Sequence, residues 1–265
     1  MTAIAAVYTP EGFVIAADGL RRDGETLHSV SDCAQKIFWG THPSFVFAYA
    51  WAGTVGLRIP TGEFVYLIEE TGRAIEEVKR YSFASAAQYA QQIAEMLHQR
   101  IKDADNTDAR LLFVGYFLGE AYRVEAWFKS GKEPLIRNVT QEPLDFGIFS
   151  GSAIVFKQMQ LSTPPSTIFE GALTLQTYLQ RCIDGCGIYP DCVGFGGHIH
   201  MASIDASGHT WIIPPKGSDD PTEAKCNEVL RRMLNSKPLS KAEISARIKA
   251  EREAKKAAKT VQKME

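Results

Sequence analysis

A chain of 265 residues with 45% hydrophobic content can bury one large core or two small ones. A charged fraction of 23% and a net charge of -2 exert no overall electrostatic pull toward nucleic acid or a membrane. No run of about 18 uninterrupted apolar residues exists to form a spanning helix, and the start lacks the basic and apolar regions of a signal peptide. The expectation is a cytoplasmic protein with neither a membrane nor a nucleic-acid partner.

In chain order, residues 3–8 and 13–17 are apolar, partly β-branched runs separated by the turn chemistry of Thr9-Pro10-Glu11-Gly12. Residues 36–39 and 44–49 form a second pair of strands around Gly40-Thr41-His42-Pro43. Both pairs are apolar on both faces in places, as strands covered on each side are. Residues 57–81 are mixed, with a Pro60-Thr61-Gly62 turn before a short helix. A clearer helix spans about Ser85–Asp103, with Tyr89, Ile93, Met96, Leu97 and Ile101 on one face. Strands follow at 111–116, 122–128 and 146–149. Thr167 with Glu170 forms a capping box after Pro164-Pro165, opening a helix to about Cys182. Two last strands cover 199–204 and 210–213. Strands grouped in hairpins, with helices between the groups, suggest antiparallel sheets and helices in layers, not a βαβ repeat.

From Lys237 the composition changes. Residues 241–265 carry eight Lys or Arg and four Glu among many alanines, which reads as a solvated basic helix or a frayed tail. The expected division is a main domain over 1–236, with an inserted stretch at about 57–81, and a C-terminal extension over 237–265. The five cysteines are Cys33, Cys182, Cys186, Cys192 and Cys226, few enough to fit reduced thiols. Cys182, Cys186 and Cys192 cluster ahead of His198 and His200, but the spacing matches no familiar zinc pattern. They read as buried structural thiols, and neither a metal nor a cofactor is expected. The two histidines lie two apart on a strand and read as packing or hydrogen-bonding residues of the sheet.

The chemistry concentrates at the start. Removal of Met1 by a methionine aminopeptidase, which requires a small second residue, would leave Thr2 with a free α-amine beside its hydroxyl. The amine can then serve as the nucleophile's own general base. If Pro10-Glu11 centres the first hairpin, Ala3 lies opposite Asp18 and Thr2 opposite Gly19, within reach of the new terminus. Lys36 opens the next strand, and an ammonium beside the Thr2 hydroxyl would favour its ionised form while Asp18 keeps the ammonium charged. Asp18 also reads as a plain strand-end residue.

At these residues the chain resembles proteasome β-subunits and their bacterial relatives, N-terminal-nucleophile hydrolases. The likeness lies in Thr2-Ala3-Ile4-Ala5, in residues 12–18 ending Ala16-Ala17-Asp18, and in Lys36-Ile37-Phe38. It continues in Ala52-Gly53-Thr54, Ser150-Gly151-Ser152, and Asp191 followed by Gly196-Gly197-His198-Ile199, covering residues 2–215 in order. The resemblance implies an α+β fold, the four-layer αββα sandwich of that hydrolase type. It implies catalytic roles for Thr2, Asp18 and Lys36, an oxyanion donor in the Gly53 amide, and buffering of the Thr2 amine by Ser150 and Asp191, with Asp184 a weaker candidate. Trp51 and Val55 would line the pocket beside the scissile bond, although core packing explains Trp51 equally well. Gly19-Leu20 stands where the family often carries serine-arginine, leaving Arg21 as the candidate support. The implied activity is threonine-type cleavage of peptides or unfolded proteins inside a homo-oligomeric ring, with any unfoldase partner unspecified. The alternatives are hydrolysis of a small amide by the same nucleophile, and a catalytically silent scaffold subunit.

Overall fold

A computed structural model describes residues 2–22, 29–104, 107–138, 147–159 and 163–216. The chain divides into a compact unit, Met1–Asp220, and a second, Pro221–Glu265. All described elements belong to the first. The basic extension at 237–265, Cys226, and Phe146 of the expected strand at 146–149 lie outside the described residues.

The elements are β1 (Ile4–Thr9), β2 (Gly12–Ala17), β3 (Arg21–Arg22), β4 (Ser29–Ser31), β5 (Ile37–His42), β6 (Phe45–Gly53), β7 (Gly56–Arg58) and β8 (Phe64–Tyr66). They continue with α1 (Leu67–Val78), α2 (Ala86–Ile101), β9 (Asp108–Phe117), β10 (Glu120–Lys129), β11 (Leu135–Asn138) and β12 (Gly147–Ser150). The last are α3 (Ala153–Met159), α4 (Ile168–Asp184), β13 (His200–Asp205) and β14 (Gly208–Ile213). One five-stranded sheet has the order β12-β1-β2-β13-β14, and another the order β11-β10-β9-β6-β5. Every ladder in both is antiparallel.

The apolar cores follow from the residue pattern. Ile4, Ala6, Phe13, Ile15 and Ala17 of the first sheet meet Ala48, Ala50, Ala52, Leu112 and Val114 of the second. The alternate residues of β1 and β2 face α4, which comes close because its Gly171 has no side chain. A Cβ there would stand 2.9 Å from Val7 and 3.2 Å from Val14. Burial on both faces explains why β1 and β2 read as continuous apolar runs rather than alternating ones. On the far face of the second sheet, α2 buries Tyr89, Ile93, Leu97 and Ile101 against Phe45, Phe47, Phe113, Val124 and Phe128. Ser85 caps α2 by accepting from the Gln88 amide at 3.1 Å. Thr167 does the same for α4 through the Glu170 amide, at 3.1 Å. The Glu170 carboxylate turns not to Thr167 but to the amide and hydroxyl of Ser166, so the capping box closes one residue earlier than expected.

The expected four-layer αββα sandwich is corrected. The described architecture is predominantly antiparallel β, two five-stranded sheets and two two-stranded ribbons, with four helices. The helices do not complete outer layers. Among the described residues, α4 lies on β1 and β2, and α2 on β10 and β11. The seven-residue α3 packs on α4, and α1 leans on α2, β5 and β8. Residues 57–81 hold the expected turn and helix: residues 60–62 turn between β7 and β8, and the helix that follows is α1.

Candidate active site

The first hairpin has the register that the sequence predicts. Thr9 pairs with Gly12 and Ile4 with Ala17, so residue 3 stands opposite residue 18. There the Asp18 amide donates to the Ala3 carbonyl at 3.1 Å, and the Ala3 amide donates to Asp18 Oδ1 at 2.9 Å. Thr2 is half-buried immediately before this junction.

Asp18 is fully buried, at 0% exposure, and so its charge has to be met inside the protein. Lys36 Nζ lies 2.6 Å from Oδ1, and the Gly196 amide donates to Oδ2 at 3.1 Å. Burial holds the Lys36 ammonium below the ordinary lysine pKa, and attraction to Asp18 offsets part of that shift. The result is a cation made readier to release its proton, one hydrogen-bonded group away from residue 3.

The backbone around this pair is tightly knitted. Leu20 donates to Gly196 O at 2.8 Å, Ala34 to Gly19 O at 2.8 Å, and His198 to Asp32 O at 2.6 Å. Gly19 fits only because it lacks a side chain, since a Cβ would stand 2.6 Å from His198 O and 2.8 Å from Asp32 O. A serine at position 19 is therefore excluded by packing. Arg21, the candidate support, is exposed and lies over the Tyr66 ring, 5.9 Å from its centroid, away from this junction. Gly197 adopts φ +77°, and its Cβ would meet Asp32 O at 2.2 Å.

Sequence reasoning missed the part played by His200. Its ring is 1% exposed, and Nε2 accepts the Lys36 amide at 3.0 Å, fixing the backbone that carries the lysine. Burial and the neighbouring Lys36 charge push the imidazole down to about 3, so it is neutral, as an acceptor at Nε2 must be. His198 turns to a different partner, with Nε2 donating to Pro214 O at 2.9 Å.

Ser150 is paired with Ile4 and donates its hydroxyl to the Thr2 carbonyl at 2.5 Å. Asp191 does not meet Thr2 through a described hydrogen bond. Its Oδ1 accepts from Ser152 Oγ at 2.8 Å and its Oδ2 from the Ile154 amide at 3.1 Å. Partial burial pushes the Asp191 carboxyl up, but these amide and hydroxyl donors outweigh it and hold the pKa below the ordinary value. Ser152 Oγ in turn accepts the Val155 amide at 3.0 Å, so Asp191 and Ser152 together hold the start of α3, three residues beyond Ser150. Asp184 is engaged elsewhere, accepting from Gln180 at 2.8 Å.

Gly53 is exposed at the end of β6 with φ +91°, a conformation that favours glycine, and a Cβ would stand 2.2 Å from Asp108 O. The first pair of β5 and β6, Ile37 with Ala50, puts Lys36 beside this end of β6. For Trp51 the geometry favours core packing. It is 2% exposed, donates Nε1 to Thr71 Oγ1 at 3.1 Å, and lies 5.5 Å from the Phe128 ring. Val55 is partly exposed, packs on the same core, and accepts the Leu67 amide at 2.8 Å. Cys182 and Cys192 are buried, and the Cys186 thiol donates to Cys192 O at 2.6 Å. Among the described residues, no group of three His, Cys, Asp or Glu is arranged to hold a metal ion. No described helix is long and apolar enough to cross a membrane.

No family model matches the sequence, and no curated protein matches it. Solved structures do. Anbu (ancestral beta-subunit) from Yersinia bercovieri aligns with a TM-score of 0.56 and 12% identity, over 90% of this chain and 99% of that one. Anbu from Hyphomicrobium sp. strain MC1 gives 0.54 and 12% identity, over 91% of this chain and 100% of that one, and its Gly-1 mutant 0.57, with the same identity and coverage. The resemblance drawn from the motifs is corrected accordingly. At 12% identity and with no family model matching, the chain shares a fold with the Anbu structures and is not shown to be a member of the proteasome β-subunit family.

Proposed function

We propose that this chain is a threonine-type peptidase in which Thr2, freed by removal of Met1, is the nucleophile. The observation that carries the proposal is the Asp18 junction, where one buried carboxylate holds both the Ala3 amide and the Lys36 ammonium. The buried lysine is held against this aspartate at the junction next to Thr2. It suits a hydroxyl that has to lose a proton.

In this mechanism the Thr2 hydroxyl attacks a peptide carbonyl and its α-amine takes the proton, with the Lys36–Asp18 pair tuning the nucleophile. The exposed Gly53 amide supplies an oxyanion donor. The amine protonates the leaving group, and water then releases the acyl group from the ester. Ser150, bonded to the Thr2 carbonyl, sets the orientation of the nucleophile, and Asp191 supports it indirectly through Ser152 and the start of α3. Val55 borders the substrate pocket, and Trp51 shapes it from the core beneath. The reading extends to a cytoplasmic homo-oligomer, since the similar structures are described as an ancestral beta-subunit. It also treats 1–236 as the catalytic domain and 237–265 as an appended basic segment.

The test is hydrolysis of a panel of fluorogenic peptide amides by the wild-type chain, Thr2→Ala and Lys36→Met, with size-exclusion chromatography for the assembly state. The proposal predicts turnover that falls on the order of 10³-fold or more in Thr2→Ala. Turnover unchanged in Thr2→Ala would assign it to another residue. No turnover from a chain with a free Thr2 would point to the silent scaffold.

A further inference from the structure

Arg110 occupies an unusual position at the same end of the two sheets. It is the third residue of β9 and lies opposite Ala52, the residue before Gly53. Its guanidinium carbon lies 5.5 Å from the centroid of Trp127 and 5.3 Å from that of Phe149, so two aromatic rings hold it from different strands. Both clamps are themselves fixed. The Trp127 indole donates to Glu125 Oε2 at 3.2 Å, and Phe149 is 3% exposed in the core between the sheets. Phe149 directly precedes Ser150, the residue bonded to the Thr2 carbonyl.

Two other cations have carboxylate partners of their own. Lys36 is paired with Asp18, and Arg123 with Glu125 at 2.6 Å. Glu125 spends its other oxygen on Trp127. Among the described residues, Arg110 has neither a hydrogen-bond acceptor nor an ion-pair partner. It is half-buried, always charged, and presents five N–H donors in a planar fork that matches a carboxylate. The two rings hold the guanidinium without using its donors, so less side-chain freedom remains to be lost when an anion arrives.

We infer that Arg110 is a substrate-specificity residue that receives a carboxylate of the peptide held at Thr2. The inference rests on Thr2 as the nucleophile for its setting, but the anion site stands on Arg110, Trp127 and Phe149 alone. The carboxylate comes from an acidic side chain or from the end of a peptide chain.

Calorimetry on the full chain carrying Thr2→Ala, which binds without cleaving, separates the possibilities. The probes are acetyl-tripeptide amides containing one glutamate or its glutamine counterpart, and a trialanine free acid against its amide, at low salt. The expected result is about tenfold tighter binding of at least one acid than of its neutral counterpart, as for a charge-assisted bidentate contact. The pair that shows the preference identifies the source. Arg110→Met should erase it, and Arg110→Lys, which keeps charge but not the fork, should retain part. Equal affinity of acid and neutral probes overturns the inference, as does a preference that survives Arg110→Met. If Thr2-dependent turnover of neutral peptides coexists with no acid preference, the inference fails and the peptidase reading stands. If no turnover occurs but the preference is present, the reverse holds.

Discussion

Lys36 Nζ and Asp18 Oδ1 lie 2.6 Å apart with the lysine side chain 10% exposed and the carboxylate 0% exposed. Removing one member of such a pair leaves a buried charge uncompensated, at a cost of about 3–5 kcal/mol, whereas removing both costs less. Asp18→Asn and Lys36→Met should each lower the urea midpoint strongly, and the double variant should recover part of the loss. Strictly additive losses in the double-mutant cycle would mean that the two residues are not energetically coupled.

The neutral, buried His200 makes stability depend on pH. Its folded pKa of about 3 lies below the ordinary 6.5, so between those values the unfolded chain binds the extra proton. The contribution is therefore complete above pH 6.5 and is lost as pH falls toward 3. His200→Gln keeps an acceptor for the Lys36 amide but cannot titrate, and its stability should fall less steeply across this window. Parallel curves for wild type and variant, measured by urea unfolding, would remove His200 as the cause.

Gly19→Ser tests whether packing excludes the serine that the motif comparison anticipates. The nearest atoms to the new Cβ are carbonyl oxygens of His198 and Asp32 at 2.6 and 2.8 Å, which belong to the backbone and cannot swing aside. A loss of about 2 kcal/mol or more is expected, from overpacking of a well-filled site. A serine variant as stable as wild type by thermal unfolding would show that the 18–20 and 196–198 segments can separate.

Ser152→Ala should cost about 1–3 kcal/mol, because Asp191 Oδ1 and the Val155 amide each lose their partner. If Asp191 supports Thr2 through this serine, turnover falls beyond the loss in folded fraction. Thr167→Ala provides the comparison. It removes the cap of α4 at a cost of about 1 kcal/mol and should leave turnover per folded molecule unchanged.

How much of this was legible in the sequence depends on whether the determinant was local. The hairpin register followed from Pro10-Glu11 at the turn, and it put Ala3 against Asp18 as observed. The cap at Thr167 and the stripe of α2 followed from local spacing in the same way. The helix α3 was missed because its seven residues include a single buried one, Val155, and its start depends on Asp191, distant in sequence. The four-layer arrangement was over-extended because it was carried over from the motif resemblance, and neither motifs nor apolar periodicity say how much of a sheet a helix covers. His200 was seen only as a sheet residue, since its acceptor role depends on a contact 164 positions away. The glycines at 19 and 197 carried a detectable signal in their grouping beside Asp18 and His198, but the carbonyls that demand them come from elsewhere in the chain.

The central claim is that Thr2 bears both a reactive hydroxyl and a free amine. Intact mass spectrometry of the purified chain, before and after incubation with a peptide epoxyketone, tests it most directly, because stable adduct formation needs both groups on one residue. The account predicts loss of the initiator methionine and a single adduct on the wild-type chain, with none on Thr2→Ala. A chain that retains Met1 and takes no adduct would contradict it.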